Sequence, residues 1–220
     1  MIRRSFAALS AGLTLMALTG CASLHTMPFA NATEKLEDKQ TAIYLLMVTM
    51  ENQYRSYDQP TFLGVIVDRR VGDQWERESH TMDMNGVVVV PGAPVNSYAA
   101  RLALAPGEYR LRTLYGNSYS PLGNTHFYAP LYAPLSVRES RGVAYLGNVR
   151  ATLRQAKAGA PAPTQEAASF DVVITDGWRT DEAAFRNQFP VLAKAPIRKA
   201  VLPPYDRARV AREVARDPGK

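Results

Sequence analysis

The chain contains one cysteine, Cys21, directly behind a short apolar run. With no second thiol it cannot close an intrachain disulfide, so its chemistry is its own. Other reactive groups are sparse. Of three histidines, His25 precedes the body of the chain, and His80 and His126 lie within it. His126, beside Phe127 and Tyr128, could act as a general base in an aromatic pocket. A surface or packing histidine is the competing reading, and no nucleophile partner can be named. A Gly-x-Ser-x-Gly elbow and a glycine-rich phosphate loop are absent. His80 and Asp83 are close in sequence but lack a third ligand, so no metal site is expected. Asp68, Glu76, Glu78 and Asp83 read as solvated strand charges. The remaining set is aromatic: Tyr119, His126, Phe127, Tyr128 and Tyr132 within residues 116–134. Such residues suit contacts with proteins or sugars. Alternatively they fold back to cover an end of the core.

The residues before Cys21 have a recognisable grammar. Arg3 and Arg4 form a positive start, and residues 6–18 are apolar apart from Ser10, Gly12 and Thr14. As a helix this run rises only about 20 Å, short of a hydrocarbon core of about 30 Å. It fits an export signal. Its end, Leu18-Thr19-Gly20-Cys21, resembles the lipobox of bacterial lipoproteins. That resemblance implies a diacylglyceryl group on the Cys21 sulfur, cleavage before Cys21, and further acylation such as palmitate. Two or more acyl chains are what stable anchoring requires. Ala22, where the family's sorting pattern would place aspartate for inner-membrane retention, implies an outer-membrane anchor with the domain in the periplasm. The inner membrane and the cell surface stay as alternatives. The covalent lipid is the only prosthetic group expected. A plain secretory signal with a chance cysteine is the competing reading.

Charge is divided unevenly. Without Arg3 and Arg4 the formal charge of +6 falls to +4; residues 191–220 hold eight bases and three acids, leaving residues 21–190 at −1. The basic character therefore sits in the tail, and a nucleic-acid stripe across the body is not expected. Arg209, Arg212 and Arg216 share a helix face that could meet an anionic surface, against the plainer reading of a solvated terminus.

The elements that must position these groups read mainly as strands. Residues 1–20 are the signal, 21–40 a polar tether, 41–190 the domain and 191–220 a basic extension. The nearly continuous apolar run at 43–50 fits a buried strand or a short helix. Residues 61–68 are branched and aromatic. Asn85-Gly86 suggests a hairpin turn into residues 87–90. Residues 98–104 and 109–115 alternate apolar with polar around the Pro106-Gly107 turn, placing Arg101 on a charged face. Residues 116–134 read as a long loop. The longest strand candidate is 138–155, with Gly147 marking a bulge. Residues 156–167 read as a flexible connection, and 170–174 as a last strand. Thr180 is expected to cap a short helix ending before Pro190. Asp206 is expected to cap a second helix to about Arg216, stapled by Tyr205 and Val210.

The stretch Leu104-Ala105-Pro106-Gly107-Glu108-Tyr109 resembles the turn and strand of transthyretin-like and carboxypeptidase-regulatory-like domains. This implies a single antiparallel β-sandwich followed by a short helix and a basic, partly helical extension. The expected function is non-enzymatic: an envelope lipoprotein presenting the sandwich to a protein partner. Binding of a small ligand or glycan by the aromatic loop is the alternative, and a hydrolase using His126 the third reading.

Overall fold

The computed structural model describes residues 23–31, 33–53, 55, 57–89, 93–120, 123–154 and 170–217. Cys21, the expected lipidation site, and the 156–167 connection lie outside the described residues. The chain is mainly β. In order it forms β1 (Ser23–Thr26), β2 (Ala42–Asn52), β3 (Thr61–Val71), β4 (Gln74–Thr81), β5 (Val87–Val88), β6 (Ser97–Leu104), β7 (Gly107–Ser120), β8 (Gly123–Val137), β9 (Val143–Leu153) and β10 (Phe170–Thr175). Helix α1 (Trp178–Gln188), β11 (Ile197–Lys199) and α2 (Arg207–Arg216) follow. One sheet has the order β1-β4-β3-β7-β8, and the other β10-β9-β2-β6-β5 with β11 also on β9.

The two sheets share one core. Leu46, Val48, Leu102 and Leu146 from the second join Val65, Val67, Leu111 and Leu131 from the first. Behind the second sheet a smaller cluster sets Ile43, Leu45, Met47 and Tyr145 against Phe185, Phe189 and Leu192. Strand β2 is thus covered on both faces, which is why residues 43–50 show no alternation. The same second layer overturns the solvent-facing placement of Arg101, which is fully buried.

Several expectations need correction. The arrangement is mixed and not wholly antiparallel, because β1 runs parallel to β4 and β2 parallel to β9. Long connections separate these partners in sequence, and only short turns force antiparallel neighbours. Asn85-Gly86 is no hairpin: a single helical turn over Met84–Gly86 carries the chain from β4 in one sheet to β5 in the other. Pro106-Gly107 likewise passes the chain between sheets, with the Tyr109 hydroxyl donating to the Ala105 carbonyl at 2.9 Å. The segment read as a tether supplies β1 and then buries Met27 and Phe29. The 116–134 loop is the β7–β8 hairpin. Gly147 does carry a register shift, with φ of +120°, and it moves Val149, Ala151 and Leu153 onto the face of Ala144 and Leu146.

Close backbone approach makes Gly64 a sensitive position. A Cβ there would stand 2.2 Å from the His80 carbonyl oxygen and 2.7 Å from the Tyr115 hydroxyl. Gly64→Ala must push β3 from β4, and a loss of about 1–3 kcal/mol in urea unfolding is expected.

Candidate functional site

Charged side chains concentrate on the outer face of the first sheet, beneath α2. Residues Asp68, Arg77 and Arg110 are cross-strand neighbours on β3, β4 and β7 and so share one face. Asp68, almost fully buried, accepts from Arg110 Nε at 2.7 Å and Arg112 Nη1 at 3.4 Å, with Arg77 Nε at 3.7 Å. The helix adds two carboxylates. Glu213 accepts from Arg110 at 3.2 Å, and Asp217 pairs with Arg112 and receives the Tyr132 hydroxyl at 2.9 Å. Arg77 lies 3.9 Å from Asp217. Tyr132 is held at a positive φ of 44° with its ring under Arg110 and Arg112. Burial raises the pKa of its phenol. Arg110 also sits 4.7 Å over the Trp75 ring.

Helix α2 is positioned by its local sequence. The Asp206 carboxylate accepts from the Arg209 amide at 2.9 Å, Val210 is buried, and Tyr205 packs against the main core. The three arginines singled out on it divide: Arg209 is half-buried, whereas Arg212 and Arg216 are exposed. The extension is therefore an ordered part of the fold through 217.

The aromatic set is split between two faces and a tip. Phe127 enters the main core, Tyr132 lies under α2, Tyr119 and Tyr128 are exposed, and His126 is exposed opposite Asn117. These residues form no common pocket. Recesses open elsewhere: one of about 200 Å³ beside Phe29, Glu34 and Phe189, another of about 300 Å³ beside Tyr44, Glu139 and Arg198. His80 and Asp83 also part company. His80 is buried and stacks on His25 at 5.1 Å, while Asp83 pairs with Arg101. Among the described residues no group of three His, Cys, Asp or Glu could hold a metal ion. No described helix is long and apolar enough to cross a membrane.

No protein-family model, curated protein or solved structure matches this chain.

Two buried polar clusters escaped sequence reading. Arg101 donates from Nε to the Pro28 carbonyl at 2.6 Å and from Nη1 to the Ala99 carbonyl at 2.8 Å, pairs with Asp83, and lies 4.1 Å over the Phe189 ring. Asp181, next to the Thr180 expected to cap the helix, is buried. The α1 helix starts earlier, at Trp178, so Asp181 turns inward to accept from the Tyr145 hydroxyl at 2.5 Å and from Asn148. Burial, and then this carboxylate, drive the Tyr145 pKa upward. The one local signal for either was a charged residue, Arg101, among the small alanines at 99, 100 and 103.

Acid should loosen the C-terminal segment first. Asp171 is held below its ordinary value of 3.8 by Arg154 and Arg207, Asp176 by Lys199, and Asp206 by the Arg209 amide. Because the folded pKa values are depressed, the stabilisation is complete above about pH 4 and is lost as pH falls through those lower values. In an NMR titration, the amide signals of 207–216 should shift and broaden below pH 4 before those of β2.

Proposed function

We propose that the chain is a bacterial lipoprotein: a β-sandwich anchored through acylated Cys21 in the outer membrane, facing the periplasm and acting by contact with an envelope protein. The observation that carries the contact reading is the β7–β8 hairpin. Its pairing with β3 ends at Asn117; beyond that the two arms continue as a strand pair, with buried Ser118 donating to Asp58 and Tyr119 lying past that contact. On this projecting tip Tyr119 is 80 % exposed. A large ring fixed on a paired backbone loses little entropy on binding. The outer edge of β8 carries Pro130 and Pro134, which lack an N–H, so strand addition there is disfavoured and a side-chain contact favoured. The separation of Tyr119, Phe127 and Tyr132 weighs against a glycan or small-ligand pocket built from this set.

Two tests address the two halves of the proposal. Cys21→Ser should move most of the protein from the membrane to the soluble fraction; undiminished membrane association would contradict the anchor. A photocrosslinking side chain at position 119 in intact cells should give a discrete adduct that the same group at exposed Val173, on β10, does not. Identical patterns at both positions would remove the hairpin tip as the contact.

A further inference from the structure

The Cys21 reading, together with the place where the chain enters the fold, sets the β1 edge of the first sheet next to the anchor. Ser23, the first residue of β1, is paired in parallel with Glu78 at the edge of the first sheet. Two residue steps separate it from Cys21, a reach of about 7 Å at most. No long spacer can hold the domain away from its anchor.

The surface beside that entry point is suited to an anionic membrane. Leu24 pairs with Ser79, and Trp75 lies four residues earlier on β4, on the same face and about 13 Å along the strand. Both are exposed, Leu24 at 72 % and Trp75 at 43 %. Exposed Arg70 is the cross-strand neighbour of Trp75 on β3. Helix α2 lies over this same face, since its Glu213 and Asp217 reach Arg110, Arg112 and Arg77. Its acids are thereby spent inward on the sheet, and Arg212 and Arg216 are left to solvent. The helix segregates its charge so that its outer side is basic although the interior network beneath it is balanced.

We propose that the outer face of the first sheet, with Leu24, Trp75, Arg70, Arg212 and Arg216, rests on the anionic headgroups of the bilayer that holds the Cys21 lipid. The aromatic ring sits at headgroup depth and the arginines meet phosphates. This orientation leans on the lipid-anchor reading, and it leaves the second sheet and α1 facing away from the membrane. The anchor supplies attachment; the face supplies orientation.

Tryptophan fluorescence can test it, because the chain has two tryptophans, Trp75 and Trp178. Trp178 packs on Tyr145 on the far side of the second sheet. The full chain, processed in cells and purified from membranes, is reconstituted into phosphatidylethanolamine–phosphatidylglycerol vesicles carrying a headgroup-level quencher. Emission should be quenched, and Trp75→Phe should remove most of that quenching while co-flotation with the vesicles is unchanged. Reversal of Arg70, Arg212 and Arg216 to Glu should weaken the quenching at least fivefold, again without loss of flotation. Quenching that survives Trp75→Phe, or its absence in protein that floats with vesicles, overturns the orientation. Failure to float at all overturns the anchor instead, so the two failures are distinct.

Discussion

Arg101→Ala should cost about 3–5 kcal/mol of folding stability, the loss typical when one member of a buried ion pair is removed. The guanidinium is fully buried, and burial pulls its pKa below the ordinary arginine value against the opposing pull of Asp83. Its loss strands three acceptors at once: the carbonyls of Pro28 and Ala99 and the Asp83 carboxylate. It also opens space beneath Phe189. In a domain of this size the melting temperature should fall by roughly 10 °C. A double-mutant cycle with Asp83→Asn should show coupling, with the pair losing less than the sum of the single changes. Additive losses would mean that Arg101 acts by volume alone.

Asp68→Ala should be comparably damaging, again by about 3–5 kcal/mol. Asp68 is the inner carboxylate of the network under α2, within 3.7 Å of Arg77, Arg110 and Arg112. Without it the carboxylates that still reach these arginines are Glu213 and Asp217, both supplied by the C-terminal segment. Urea unfolding reads the loss directly. Hydrogen exchange then separates the components: the amides of α2 should keep their protection in Asp68→Ala, because two carboxylates still tie the helix down. Asp217→Ala should release α2 selectively and spare β3.

What could be read from the sequence divides along the range of the forces involved. Helix α2 was legible to its cap, because Tyr205, Asp206 and Val210 lie within six consecutive residues. The bulge at Gly147 was equally local. Strand partners were not. Asn85-Gly86 and Pro106-Gly107 carry turn chemistry, yet that chemistry is silent on whether the next strand returns to the same sheet. The β7–β8 hairpin was hidden by Pro130, Pro134, a register shift after Leu111 and the positive φ of Tyr132, each of which breaks alternation without breaking pairing. Arg101 was misplaced for a non-local reason, whereas Asp181 turns inward because the helix begins at Trp178. A two-residue period gives the face of a strand but not whether a second layer covers it, and here α1 and Phe189 do. The surface proposed to face the membrane is likewise non-local. Leu24, Trp75 and Arg216 are far apart in sequence, and only the parallel β1–β4 pairing and the inward turn of the α2 acids bring them to one side.

The proposed membrane anchor is a single thioether bond at the Cys21 sulfur. Mass spectrometry of the N-terminal peptide, taken from protein extracted out of cell membranes, tests it most directly. The expected species begins at Cys21 and carries the mass of a diacylglyceryl group with further acylation. A chain that keeps residues 1–20, or one that begins at Cys21 with an unmodified thiol, would contradict it.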